Sequence, residues 1–86
     1  MKIELTKPFV KDLKKLSKEA QTDVALLIKK IEAATDLDTF DVKRLKGFKN
    51  NFRIRLGIYR IGYFTEGDTI VCSRVAKRDE IYKIFP

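Results

Sequence analysis

The 86 residues, 44% hydrophobic and 36% charged, allow one compact domain with a modest core and leave too little chain for two. The absence of histidine and the single cysteine exclude an internal disulfide, a Ser-His or Cys-His nucleophile and the usual zinc ligand sets. A formal net charge of +7 points to an anionic partner.

The opening residues Met1-Lys2-Ile3-Glu4-Leu5 meet a charge at every second position, which is not the continuous apolar core of a signal peptide. No apolar run approaches the length of a membrane span, and a lone Cys72 suits a reducing compartment, so a cytoplasmic chain without membrane contact is expected. Ile3 and Leu5 alternate with Lys2 and Glu4 as in a half-exposed strand. Thr6 is placed to cap a helix that tolerates Pro8 in its first turn. Phe9, Leu13 and Leu16 give that helix one apolar stripe, and Lys11, Lys14, Lys15 and Lys18 give it a solvated face. Ser17 interrupts the pattern and can cap a second helix, which carries Ala20, Val24, Leu27, Ile28, Ile31 and Ala34 at helical spacing.

From Asp36 to Asp41 the pattern breaks into an acidic loop, whose acids lack the spacing and closing glutamate of a calcium loop. Val42 to Leu45 is compatible with the beginning of a short strand, ended by Gly47. Phe52-Arg53-Ile54-Arg55-Leu56 alternates strictly, so its arginines share one side and its apolar residues the other. Gly57 permits a turn, Ile58 to Phe64 forms the next strand, Glu66-Gly67-Asp68 marks another turn, and Thr69 to Val75 is apolar enough to be central. Within that last run Cys72 reads as a buried small hydrophobe. The segment from Arg78 or Asp79 onward fits a short helix bearing Ile81, Tyr82 and Phe85. The expected fold is therefore α+β: an N-terminal strand, a helical hairpin on one face of a mostly antiparallel four-stranded sheet, and a short C-terminal helix, in a single domain over residues 1–86. The other sheet face would expose Arg53 and Arg55.

The charge excess is local. Lys43, Arg44, Lys46, Lys49, Arg53, Arg55 and Arg60 follow one another without an intervening acid and account for the whole +7. The chain has 13 lysines and 6 arginines, yet three of those arginines fall between Arg53 and Arg60. A guanidinium grips phosphate oxygens with a planar fork that an ammonium lacks, which favours phosphate recognition over plain solvation of a two-faced sheet. Arg78 and Tyr82, four apart, share a face if their segment is helical, but taken alone the spacing favours Tyr82 packed into the core and Arg78 paired with Asp79 or Glu80.

The order and spacing of Arg44-Leu45-Lys46-Gly47, Phe52-Arg53-Ile54-Arg55-Leu56, Tyr59-Arg60-Ile61 and Val75-Ala76-Lys77-Arg78-Asp79-Glu80-Ile81-Tyr82 resemble the RelE/ParE toxin superfamily, and the last segment its ribonuclease branch. The resemblance extends to the opening helix and so covers nearly the whole chain. It implies the toxin of a type II toxin–antitoxin system. Such a toxin enters the ribosomal decoding site and cleaves messenger RNA by attack of a ribose 2′-hydroxyl on its own phosphodiester, with no cofactor or metal. Its implied partners are a RelB-like antitoxin, the ribosome and the message. The implied catalytic set is Arg53, Arg55, Arg60, Arg78 and Tyr82, with Lys43, Arg44, Lys46 and Lys49 attracting RNA. The best-known members carry lysines where this chain has Arg53 and Arg55. Arginine stays charged under all ordinary conditions, so these two suit gripping RNA and stabilising negative charge, and Tyr82 is the better proton acceptor. A gyrase inhibitor of the ParE kind, or a ribosome-binding relative without catalysis, would share the fold.

Overall fold

A computed structural model describes residues 1–86 and holds three helices against one sheet. In chain order the elements are β1 (Lys2–Leu5), α1 (Lys7–Lys14), α2 (Lys18–Ala33), β2 (Val42–Arg44), β3 (Asn51–Leu56), β4 (Tyr59–Glu66), β5 (Thr69–Lys77) and α3 (Arg78–Ile84). The sheet has five strands in the order β1-β5-β4-β3-β2, not the four expected, because Val42–Arg44 pairs antiparallel with β3 and becomes an edge strand. β1 lies parallel to β5 at the opposite edge, and the remaining pairs are antiparallel.

Local chemistry sets the helix starts. The Thr6 hydroxyl accepts the amide of Phe9 at 3.1 Å and donates to the carbonyl of Ser73 at 2.9 Å, so one side chain both caps α1 and ties it to β5. The Ser17 hydroxyl accepts the amide of Ala20 at 3.1 Å and caps α2. Phe9 from α1 and Val24 and Ile31 from α2 meet Ile54, Ile61, Tyr63, Ile70, Cys72 and Val75 from the sheet in the main core. Burial pushes the Cys72 thiol up to about 12, so it stays protonated and inert.

One anchor of α1 is ionic. Asp12, only 9% exposed, takes two hydrogen bonds from the Arg74 guanidinium at 2.7 and 3.0 Å and a third from the Val75 amide at 3.1 Å. Burial alone would raise the carboxyl, but the Arg74 and Val75 hydrogen bonds outweigh it and hold Asp12 below the usual carboxylate range.

The second sheet face is not simply open. α3 crosses it, and Ile81 and Phe85 pack with Leu45 and Ala76 into a smaller core. Gly62 is what lets the helix end settle there: the Phe85 ring lies where a side chain at position 62 would be. The amide of Arg78 donates to the carbonyl of Ile58 at 2.9 Å, fixing the start of α3 beside the β3–β4 turn.

Candidate active site

The site grows out of the alternation of β3. Phe52, Ile54 and Leu56 pack toward the main core, which leaves Arg53 and Arg55 on the face that α3 crosses. Strand register then sets their neighbours: Lys43 on β2 stands opposite Arg53, and Arg60 on β4 stands opposite Arg55. Side chains directly opposite on neighbouring strands have Cβ atoms roughly 5 Å apart, and like charges so placed are destabilising. Two such pairs side by side concentrate positive potential at a cost to the fold.

Lys43, Arg53, Arg55, Arg60 and Tyr82, together with Asp41, line an open pocket of about 230 Å³. Its walls come from β2, β3, β4 and α3, with Asp41 from the loop just ahead of β2. Arg60 is held by its own turn, its Nη1 donating to the carbonyls of Gly57 and Tyr59, both at 2.8 Å. That turn depends on Gly57, whose φ of 59° lies in the left-handed region. Arg53 is half-buried, with its guanidinium carbon 4.4 Å from the centre of the Tyr82 ring. Its Nε is buried without a hydrogen-bond acceptor.

Tyr82 is 61% exposed, so its ring is not part of the core. Arg53 beside the phenol, first by hydrogen-bonding influence and then by its charge, holds Tyr82 below the ordinary tyrosine range, with Arg78 and Lys43 adding in the same direction. Exposure opposes the effect through solvent screening, but the three cations act with the same sign. The geometry at Arg53 is a stack over the ring face, so the cation favours the phenolate without locking its oxygen into a bond.

Arg78, at the start of α3, lies beside the site. It shares a groove with Arg55, Gly57, Ile58 and Arg60, and does not line the pocket that holds Tyr82. Its contact with Asp79, at 3.8 Å between two exposed groups, is too weak and too wet to hold it. Of the other cations expected to attract RNA, Lys43 joins the pocket itself, whereas Arg44, Lys46 and Lys49 surround Gly47 and Phe48 on a separate loop surface. The structure also adds a residue that the sequence assigned to a solvated loop. Asp41 is the one acid of the pocket, its carboxylate 4.0 Å from Arg55 and its carbonyl accepting the Arg55 amide at 3.0 Å.

The family described as ParE toxin of type II toxin-antitoxin system, parDE, matches residues 3–82. Fold and match together define the toxin half of a type II toxin–antitoxin system. The chain belongs to the RelE/ParE toxin family. It is 41% identical to toxin RelE3 of Methanocaldococcus jannaschii over the full length of both proteins. Among solved structures, it is similar to a RelB-RelE antitoxin-toxin complex from Methanococcus jannaschii, with a TM-score of 0.81 and 39% identity over 96% of this chain and 99% of that one. It is also similar to an archaeal RelE-RelB complex from Pyrococcus horikoshii, with a TM-score of 0.72 and 26% identity over 90% of this chain and 93% of that one.

Proposed function

We propose that this chain is a ribosome-dependent endoribonuclease that cuts messenger RNA without a metal or a protein nucleophile. The observation that carries the reading is the convergence of Arg53, Arg55 and Arg60 with Tyr82 in one pocket, with Arg78 adjoining it. In the proposed reaction the ribose 2′-oxygen attacks the adjacent phosphorus, the bond from phosphorus to the 5′-oxygen breaks, and a 2′,3′-cyclic phosphate forms. The phenolate of Tyr82 accepts the 2′ proton, a role suited to a phenol that its cationic neighbours push toward ionisation. Arg55 and Arg60 grip the non-bridging oxygens and stabilise the added charge of the transition state. Because Arg60 is already tied to two carbonyls, little reorganisation is needed as that charge develops. Arg53 holds the Tyr82 ring and its ionisation, and Arg78 stabilises charge on the departing oxygen. Arg44, Lys46 and Lys49 draw the protein to RNA through phosphate attraction, which carries no sequence information.

Two of the similar structures are complexes of a RelE with a RelB. By extension, a RelB-like antitoxin neutralises this chain, with acidic segments laid over the cationic face. Ribosome and message as substrates make the cytoplasm its place of action, in keeping with the finding that no helix is long and apolar enough to cross a membrane. The matched family's ParE description favours gyrase inhibition as the second reading. Brief expression followed by primer extension on cellular messages separates the two. Wild type should give discrete ribosome-dependent stops that Arg78→Ala lacks. Uncut messages together with loss of gyrase supercoiling activity would replace the first reading by the second.

A further inference from the structure

Transesterification of RNA needs a proton taken from the 2′-hydroxyl and another given to the 5′-oxygen as it leaves. Of the six residues lining the pocket, Arg53, Arg55 and Arg60 keep their protons under all ordinary conditions and can do neither. Arg78, in the adjoining groove, is limited in the same way: it can stabilise charge but delivers no proton. Within the pocket itself three groups remain that exchange protons: Tyr82, Asp41 and Lys43. Tyr82 is assigned the first transfer. Asp41 faces Arg55 as a carboxylate, an acceptor with nothing to donate. Lys43 carries its proton as an ammonium.

The placement of Lys43 suits the second transfer. It sits on the edge strand β2, directly opposite Arg53, at the end of the strand order β4-β3-β2. Tyr82 enters the same pocket from α3, which packs on β4 and β5. The Tyr82 ring lies over the Arg53 guanidinium, and Arg53 is the residue that Lys43 faces across β2 and β3, so the two exchangeable groups reach one cationic pocket from two different elements. An in-line displacement needs two such groups, one at the attacking oxygen and one at the leaving oxygen.

We propose that Lys43 is the proton donor to the departing 5′-oxygen, and so a catalytic residue rather than one of the cations that merely attract RNA. The inference rests on the nuclease reading above. The balance is complete: the 2′ proton passes to the Tyr82 phenolate, the Lys43 ammonium gives its proton to the 5′-oxygen, and the products are a 2′,3′-cyclic phosphate and a 5′-hydroxyl. Neutral tyrosine and neutral lysine then return to phenolate and ammonium by proton exchange through water.

The test compares wild type, Lys43→Arg and Tyr82→Phe on ribosomes programmed with a message whose scissile 5′-bridging atom is either oxygen or sulfur. A thiolate leaves without a proton, so sulfur removes the need for a donor. Lys43→Arg keeps the charge and should bind ribosomes within about twofold of wild type, while cutting the oxygen message roughly 10²-fold or more slowly, the usual worth of a general acid. On the sulfur message it should match wild type within about threefold, whereas Tyr82→Phe should stay slow on both. Lys43→Arg cutting the oxygen message at the wild-type rate would overturn the proposal, and so would equal slowing on both messages. Rescue of Tyr82→Phe by sulfur would reverse the two roles and overturn it as well. If wild type binds programmed ribosomes and cuts neither message, the nuclease reading itself falls and the assignment of Lys43 with it.

Discussion

Gly62→Ala should damage catalysis from a position that touches no substrate. A Cβ at residue 62 would lie 2.5 Å from Cγ and Cδ2 of Phe85 and 2.8 Å from Cδ1, distances that only displacement of the ring can relieve. Gly62 does not have a positive φ, so alanine itself fits the strand backbone, and loss of unfolded-chain entropy should return about 0.4–1 kcal/mol. Against that stands the burial of Phe85, which is 6% exposed in the small core; expelling such a ring costs about 1.5–3 kcal/mol. The net loss should be about 0.5–2.6 kcal/mol, and each kcal/mol lowers Tm by roughly 4–8 °C in a domain of this size. Urea denaturation would measure it. Because Phe85 anchors the helix that carries Arg78 and Tyr82, message cleavage should fall about tenfold or more by transition-state arithmetic if Tyr82 moves off Arg53. Ribosome binding through Arg53, Arg55 and Arg60 on the sheet should change little. Pairing Gly62→Ala with Phe85→Ala should be less damaging than the sum of the single changes, because the clash disappears with the ring. Stability within about 0.5 kcal/mol of wild type and undiminished cleavage in Gly62→Ala would refute this account of how α3 is held.

Other perturbations separate the remaining parts. Asp12→Asn leaves the Arg74 guanidinium without its carboxylate and should cost about 2–4 kcal/mol, less than a fully buried pair because Arg74 remains 30% exposed. The same pair sets a pH dependence: the folded Asp12 carboxyl lies below its ordinary 3.8, so its contribution is complete above that value and is lost as pH falls through the folded one. Acid titration monitored by circular dichroism should therefore show wild type losing stability below about pH 4 more steeply than Asp12→Asn. Arg53→Met removes the cation that lowers Tyr82, so the rising limb of the pH–rate profile should move to higher pH, whereas an unmoved limb would detach Tyr82 from the base role. Asp41→Asn frees Arg55 from a wet contact worth at most about 1 kcal/mol. It should tighten RNA binding severalfold at low salt, an advantage that fades as salt screens the site.

The sequence disclosed much of this because period and chemistry coincided. The alternation at Phe52–Leu56 places Arg53 and Arg55 on one side of the strand, and the caps at Thr6 and Ser17 mark where the helices begin. What it hid depended on contacts between distant segments. Val42–Leu45 was legible as the beginning of a short strand, but not its partner: only the pairing of Val42–Arg44 with β3 brings Lys43 into the pocket and completes the five-stranded sheet. Asp41 read as one acid among several in a loop, because its approach to Arg55 is set by the path of the chain into that edge strand. Gly62 gave no turn signal, since its role is to make room for a ring that arrives from the C-terminal end. Asp12 did leave a trace. It lies three residues after Phe9 and four before Leu16, on the apolar stripe of α1, where an unpartnered carboxylate would be costly and a partner such as Arg74 is required.

On the nuclease reading, the cationic pocket performs chemistry and does not merely bind. The most direct test is the structure of the ends left on a ribosome-bound message. Wild-type protein incubated with programmed ribosomes should leave a 2′,3′-cyclic phosphate upstream of the cut and a 5′-hydroxyl downstream. Tyr82→Phe should bind the same ribosomes with similar affinity and leave the message intact for far longer. A 5′-phosphate at the cut, or cleavage by Tyr82→Phe at the wild-type rate, would contradict the account.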